Sequence, residues 1–199
     1  MSVRIAAGLY KGQVISTVAG PGYRPAMVKV RQALFSMLEA RAVNWEETRV
    51  LDLYAGSGSL GLEALSRGAA EVWFVEHSAK AVRALRQTLV RLGVSGRQYK
   101  IVTGKVAGFL RQRPSQQFDL VFVDPPYGHG LLQLSVQDLL KQGWVHTSAC
   151  IAAEVEAEVG VTNLPGFSLE VNRTYGQTRI VIWKAQNQKP QFIQEPLTL

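Results

Sequence analysis

Apolar positions along this chain follow two alternating periods. Residues 49–55, 71–76, 99–103, 118–124 and 149–155 are apolar on nearly consecutive positions, as suits strands buried on both faces of a parallel sheet. Between them, residues 60–67, 79–92, 106–111 and 131–141 place apolar side chains at helical spacing, with Ser78 as an N-cap and Gly93 closing the second helix. Alternation of this kind predicts an α/β fold: a mostly parallel sheet with helices on both faces. The last two apolar runs, 167–175 and 178–184, are too close to enclose a helix. They predict an antiparallel hairpin turning at Tyr175-Gly176-Gln177.

The beginning and end of the chain read differently. Residues 3–7 and 14–18 are apolar stretches separated by Gly8, Lys11 and Gly12, the pattern of a small β-hairpin. Gly20-Pro21-Gly22-Tyr23-Arg24-Pro25 is turn chemistry, and Val30, Leu34, Met37 and Leu38 then mark a helix over 27–41. The expected organisation is therefore a hairpin extension over 1–26, an α/β domain over 27–184 and a flexible tail over 185–199. A chain of 199 residues, 47% hydrophobic, is long enough for one proper core. No apolar run approaches the roughly 18 residues of a membrane span and no leader pattern is visible, so a cytoplasmic protein is expected. The single cysteine, Cys150, reads as a buried small hydrophobe. With His77, His129 and His146 scattered, no metal site is expected.

Net charge adds a partner. A surplus of +7 attracts phosphate backbones, which favours a nucleic-acid substrate. Arg4 and Lys11 on the hairpin, with Arg24 and Arg31 beyond it, are candidate RNA contacts.

Two stretches carry chemistry. In Phe118 to Gly128, FDLVFVDPPYG, Pro125 and Pro126 stop a buried strand and leave Asp124 at its carboxyl tip, where open α/β sheets bind ligands. In Val50 to Leu65, VLDLYAGSGSLGLEAL, Gly56, Gly58 and Gly61 have the spacing of a nucleotide-binding turn. Asp52 lies inside the strand before that loop, where it would repel a pyrophosphate and welcome a cationic ligand. This disfavours a dinucleotide dehydrogenase. Glu76, ending the next strand, is placed to accept the hydroxyls of a ribose.

Taken together, these segments resemble the class I methyltransferases that use S-adenosylmethionine to modify exocyclic amines. More closely, the chain resembles the RsmD family, bacterial enzymes that methylate a guanine 2-amino group in small-subunit (16S) rRNA. The likeness runs from Arg4 to Lys184. It is carried by RIAAGLYKG, Gly22-Tyr23-Arg24-Pro25, Val30-Arg31-Gln32-Ala33-Leu34-Phe35, DLYAGSGSLGLEALSRGA, Val75-Glu76, VFVDPPY and the Tyr175-Gly176 hairpin. The resemblance implies a Rossmann-like sheet that binds S-adenosylmethionine through Asp52, Tyr54, Gly56, Ser57, Gly58, Gly61, Glu76, His77, Lys105 and Val106. It implies 16S rRNA in a small-subunit assembly particle as partner, no metal, and a monomer. The chain departs from the family at Ala26, where threonine is usual, at Gln32, where glutamate is usual, and at Lys105. The family often has Asp or Asn at that last position, facing adenine, and a lysine offers no acceptor.

Amine methylation explains why Asp124, Pro125, Pro126 and Tyr127 stand together. An exocyclic amine is a poor nucleophile because its lone pair is delocalised into the ring. The Asp124 carboxylate and the Pro125 carbonyl can accept its two hydrogens and direct the lone pair, while Tyr127 stacks on the base. Such a base must be unstacked or flipped to be reached. The same tetrapeptide suits adenine in DNA or RNA, or a glutamine side chain, and a non-catalytic RNA-binding assembly factor on this fold is a further alternative.

Overall fold

The computed structural model describes residues 3–17 and 25–186. Arg24, most of the turn before it and the tail from 187 onward lie outside the described residues. Strands β1 (Val3–Arg4) and β2 (Val14–Ile15) form an antiparallel pair. They are followed by α1 (Pro25–Glu39), a 3₁₀ turn at Trp45–Glu47, β3 (Arg49–Leu53), α2 (Ser59–Ser66), β4 (Glu71–Glu76) and α3 (Ala79–Arg91). The chain continues through β5 (Tyr99–Thr103), α4 (Val106–Leu110), β6 (Phe118–Val123), α5 (Leu131–Gln142), β7 (Val145–Glu156), β8 (Phe167–Tyr175) and β9 (Thr178–Ala185).

The main sheet has seven strands in the order β5-β4-β3-β6-β7-β9-β8. The first five are parallel, and β9 pairs antiparallel with both β7 and β8. The fold class is therefore the one expected. From β3 the chain builds outward to β4 and β5, then returns to β3's other side with β6. That reversal opens a crevice at the carboxyl ends of β3 and β6, the usual ligand position in such sheets.

Each face of the sheet is covered by its own core. Val50, Phe74, Leu120, Phe122 and Ala152 pack with Leu34, Phe35 and Leu38 of α1, Leu62 of α2 and Leu85 of α3. On the other face Leu51, Val121 and Ile151 pack with Phe109 of α4 and Val136 of α5, where Phe109, Phe118, Trp73 and Trp144 form a chain of ring contacts. No helix among the described residues is long and apolar enough to cross a membrane.

Several boundaries differ from the sequence reading, and the hairpin strands are only Val3–Arg4 and Val14–Ile15. Helix α1 begins at Pro25, because a proline at the first helical position forfeits only an N–H that has no partner there. Strand β7 begins at Val145. The polar His146, Thr147 and Ser148 hid its first part, and its pairing with β6 shifts register between Phe118 and Leu120.

The N-terminal hairpin joins the main core. Ile5 and Ile15 are buried in it. The buried Glu63 carboxylate of α2 accepts the N–H groups of Ala6 at 2.7 Å and Ala7 at 3.0 Å. At the end of α2 the Ser66 carbonyl accepts from Leu9 N–H at 2.6 Å, and the Ser66 hydroxyl from Tyr10 N–H at 2.9 Å. On α3, the Thr88 hydroxyl accepts from Ser16 N–H at 3.0 Å. Gly8 has no alternative, since a Cβ there would stand 1.8 Å from the Ser66 carbonyl oxygen.

Candidate active site

The loop after β3 is shaped by two acids. Asp52 is 1% exposed, and its Oδ2 accepts the Gly61 N–H at 2.9 Å. A side chain at Gly61 would meet the Phe74 ring at 2.3 Å, so only glycine lets α2 lie this close to the sheet. Glu76, also buried, accepts the Gly56 N–H through Oε2 at 2.8 Å and the Ser78 N–H through Oε1 at 2.6 Å. One carboxylate thus ties the glycine loop to the start of α3, while each of its oxygens keeps a lone pair. His77 beside it is exposed, with Nδ1 3.2 Å from Glu76.

Tyr54 completes the turn with a positive φ of 60°, a conformation that costs a bulky residue and marks sites where geometry is imposed. Its hydroxyl is 2.7 Å from the Ser135 Oγ of α5, tying the loop to that helix.

The second half of the site is at the tip of β6. Asp124 is half-buried, Pro125 buried, and Tyr127 45% exposed, with its hydroxyl 3.0 Å from the Thr178 Oγ1. Burial raises the Asp124 carboxyl well above its ordinary range, and the charges of Glu154 and Asp52 raise it further. Burial pushes Asp52 up to about 7, the Gly61 N–H opposing and Glu76 adding to the shift. Glu154 is also pushed up to about 7 by burial, with Arg31 opposing. The carboxyl edge therefore concentrates acids in a poorly solvated place, a mark of functional sites.

An adenosine-bearing cofactor fits the crevice on the β4 side. A Cβ built at Gly56 would have nothing closer than the Tyr54 carbonyl oxygen at 3.9 Å, and one at Gly104 nothing within 4 Å. Backbone therefore borders open space on both sides of Glu76, whose free lone pairs suit a diol. Ser57 lies in the same loop, partly exposed; Val106 is buried at the start of α4, and the Lys105 side chain is exposed.

Of the cations expected to hold RNA, Arg4 and Lys11 lie away from this site, while Arg24 is outside the described residues. Arg31 is 5% exposed and turns inward, its Nη2 donating to the Arg4 carbonyl at 2.5 Å, so it is not a surface phosphate contact in this conformation. Arg4 is exposed, with Nη1 donating to the Gly12 carbonyl at 2.9 Å. Lys11 is exposed on the hairpin turn, which docks at the Ser66 end of α2. That end is about 12 Å from the glycine loop, the length of an eight-residue helix.

Glu154 escaped the sequence reading. It lies in Ala152 to Glu158, AAEVEAE, where alternating acids suggest a solvated strand end. The available signal was the apolar run Cys150 to Ala153 just before it, which puts this acid at a buried tip as Asp124 is.

Comparison with known proteins agrees with this geometry. A family profile described as conserved hypothetical protein 95 matches residues 3–184. Ribosomal RNA small subunit methyltransferase D of Haemophilus influenzae is 33% identical over 175 residues, covering 87% of this chain and 89% of that protein. The protein of the same name from Escherichia coli K12 is 33% identical over 187 residues, 94% of this chain and 91% of that one. The solved structure of Escherichia coli yhhF matches with a TM-score of 0.83 at 32% identity, covering 94% of this chain and 100% of that one. With the profile spanning the sheet, the hairpin and both halves of the site, this chain belongs to the RsmD-like family of methyltransferases.

Proposed function

We propose that the protein transfers a methyl group from S-adenosylmethionine to the 2-amino group of a guanine in 16S rRNA, within a small-subunit assembly particle. The observation that carries this reading is the placement of Asp124 and Pro125 at the β6 tip, directly beside the glycine loop that Asp52 and Glu76 hold. When bound, S-adenosylmethionine supplies an electrophilic methyl on a sulfonium centre. The backbone of Gly56 to Gly58, with Glu76 at the ribose and Val106 below the adenine, would hold it.

The remaining work belongs to the chain's own groups. The Asp124 carboxylate accepts one hydrogen of the target amine and the Pro125 carbonyl the other. This localises the nitrogen lone pair and aims it across the β3–β6 crevice. Positioning of this kind can supply about 7–11 kcal/mol of the barrier. Tyr127, its ring nearly half exposed, stacks on the base for roughly 1–3 kcal/mol. As the new bond forms the amine becomes acidic, and the raised proton affinity of Asp124 lets it take that proton.

A nucleic acid is favoured over protein as substrate by where the charge lies. Residues 77–118 contain nine Lys and Arg and no acid. Lys80, Arg83 and Arg86 are exposed together on α3, and no carboxylate among the described residues pairs with them. The catalytic unit is residues 27–184, the hairpin is its RNA-side extension, and the enzyme acts as a cytoplasmic monomer.

Tritiated methyl transfer to naked 16S rRNA, partly assembled small subunits and DNA, run side by side, tests this reading. Labelling of guanine in the rRNA is expected; labelling of DNA alone overturns it. Asp124→Ala should bind S-adenosylhomocysteine as the wild type does in calorimetry and lose about 100-fold or more in methylation rate. An unchanged rate removes Asp124 from the mechanism.

A further inference from the structure

Two groups of acids among the described residues differ in what their carboxylates touch. Asp52, Glu63 and Glu76 each accept backbone N–H groups, so each has a partner within the fold. Asp124 and Glu154 accept no hydrogen bond from any described residue, although Glu154 is only 7% exposed. Asp124 is half-buried and neither carboxylate is sealed from solvent, so the two stand side by side as acceptors open to a ligand.

The sheet register sets their geometry. Val123 of β6 pairs with Ala153 of β7, so the next residues along the two parallel strands, Asp124 and Glu154, stand abreast. Phe122 and Ala152, one pleat period earlier, both enter the core under α1, and side chains two residues apart share a face. Both carboxylates therefore face the α1 side, on strands about 4.8 Å apart. From α1, the inward-turned Arg31 is the cation that offsets their repulsion and favours the ionised form of Glu154. The ligand implied presents two neighbouring donors to two neighbouring carboxylates.

Resting on the guanine reading above, we propose that Glu154 accepts the N1–H of the target guanine while Asp124 holds the adjacent 2-amino group. Guanine alone among the four bases offers a ring N–H beside an exocyclic amine on this edge and a free carbonyl on the far side. Adenine places a ring lone pair next to its amine, and that lone pair would face the Glu154 carboxylate. Glu154 is thus the residue that selects guanine at a tetrapeptide which by itself suits any planar amine. Arg31 is a positioning residue that acts through Glu154.

The test uses small-subunit particles assembled on 16S rRNA carrying either guanine or 2-aminopurine at the position the wild type methylates. 2-Aminopurine keeps the same amine but has a bare acceptor at N1. Sites built to bond a substrate N–H reject analogues lacking it, so the wild type should lose about 100-fold or more in kcat/KM on 2-aminopurine. Glu154→Gln, whose amide can donate to that acceptor, should bring the two substrates within about tenfold of each other while slowing methylation of guanine. Calorimetric binding of S-adenosylhomocysteine by this variant should match the wild type. The proposal is overturned if the wild type methylates both bases equally, or if Glu154→Gln keeps the wild-type ratio. The wild-type comparison stands even if the variant does not fold. Wild-type particles with no labelled guanine at all would overturn the functional reading along with it; the first two outcomes leave that reading intact.

Discussion

At the scale of single residues, the acids divide by what each carboxylate touches, and that division was only partly legible in the sequence. Asp52 stood out as a charge inside an apolar strand. Its partner, the Gly61 N–H nine residues on, emerged only once α2 folded back over the strand. Glu154 was hidden by the acids that follow it, and its meaning depends on the Val123–Ala153 pairing that no local pattern encodes. The raised affinity of Asp52 has a sign that can be measured. Its carboxyl titrates near 4 in the unfolded chain and near 7 in the fold, so below about pH 4 it adds nothing to the pH dependence. As pH rises from 4 to 7 the unfolded state releases its proton first, and stability falls. Asp52→Asn retains an acceptor for Gly61 and removes the titration. The melting temperature of the wild type relative to this variant should therefore drop between pH 5 and pH 8. A constant difference would mean that Asp52 titrates normally.

At the scale of elements, periodicity announced most strands and helices because buried runs and helical stripes are local properties. The exceptions follow from position. Pro25 reads as a turn residue yet opens α1, and the early part of β7 is polar and exposed. The docking of the hairpin was not legible at all, since Gly8 looks like any turn glycine. Its φ of 80° and its approach to Ser66 make it specific. Gly8→Ala should cost on the order of 1–3 kcal/mol in urea unfolding, through strain and the loss of contact with α2. Gly12→Ala, which shares the positive φ but has open space around it, should cost less. Equal losses would show that backbone conformation, not docking, is what Gly8 supplies.

At the scale of the whole molecule, the α/β class and the antiparallel ending were legible from alternation and from the short gap before β9. The pairing of β6 beside β3, which creates the crevice, is a long-range choice that the sequence pattern leaves open. Charge was visible in sum but not in place. The sequence reading put RNA contacts on Arg4, Lys11, Arg24 and Arg31; α3 adds an exposed basic face with no acid in its first turn, the end where acids would suit the helix dipole. Replacing Lys80, Arg83 and Arg86 by Gln should leave S-adenosylhomocysteine binding unchanged and weaken rRNA binding. Each lost phosphate contact should flatten the salt dependence by about 0.7–0.9 in log–log slope. An unaltered slope would send the RNA path elsewhere. The hairpin bears on how this molecule is made. Its backbone is held by Glu63, Ser66 and Thr88, which follow it by 56 to 72 residues. During synthesis it must wait, unsecured, until α3 has emerged, so an early segment of the chain is locked late.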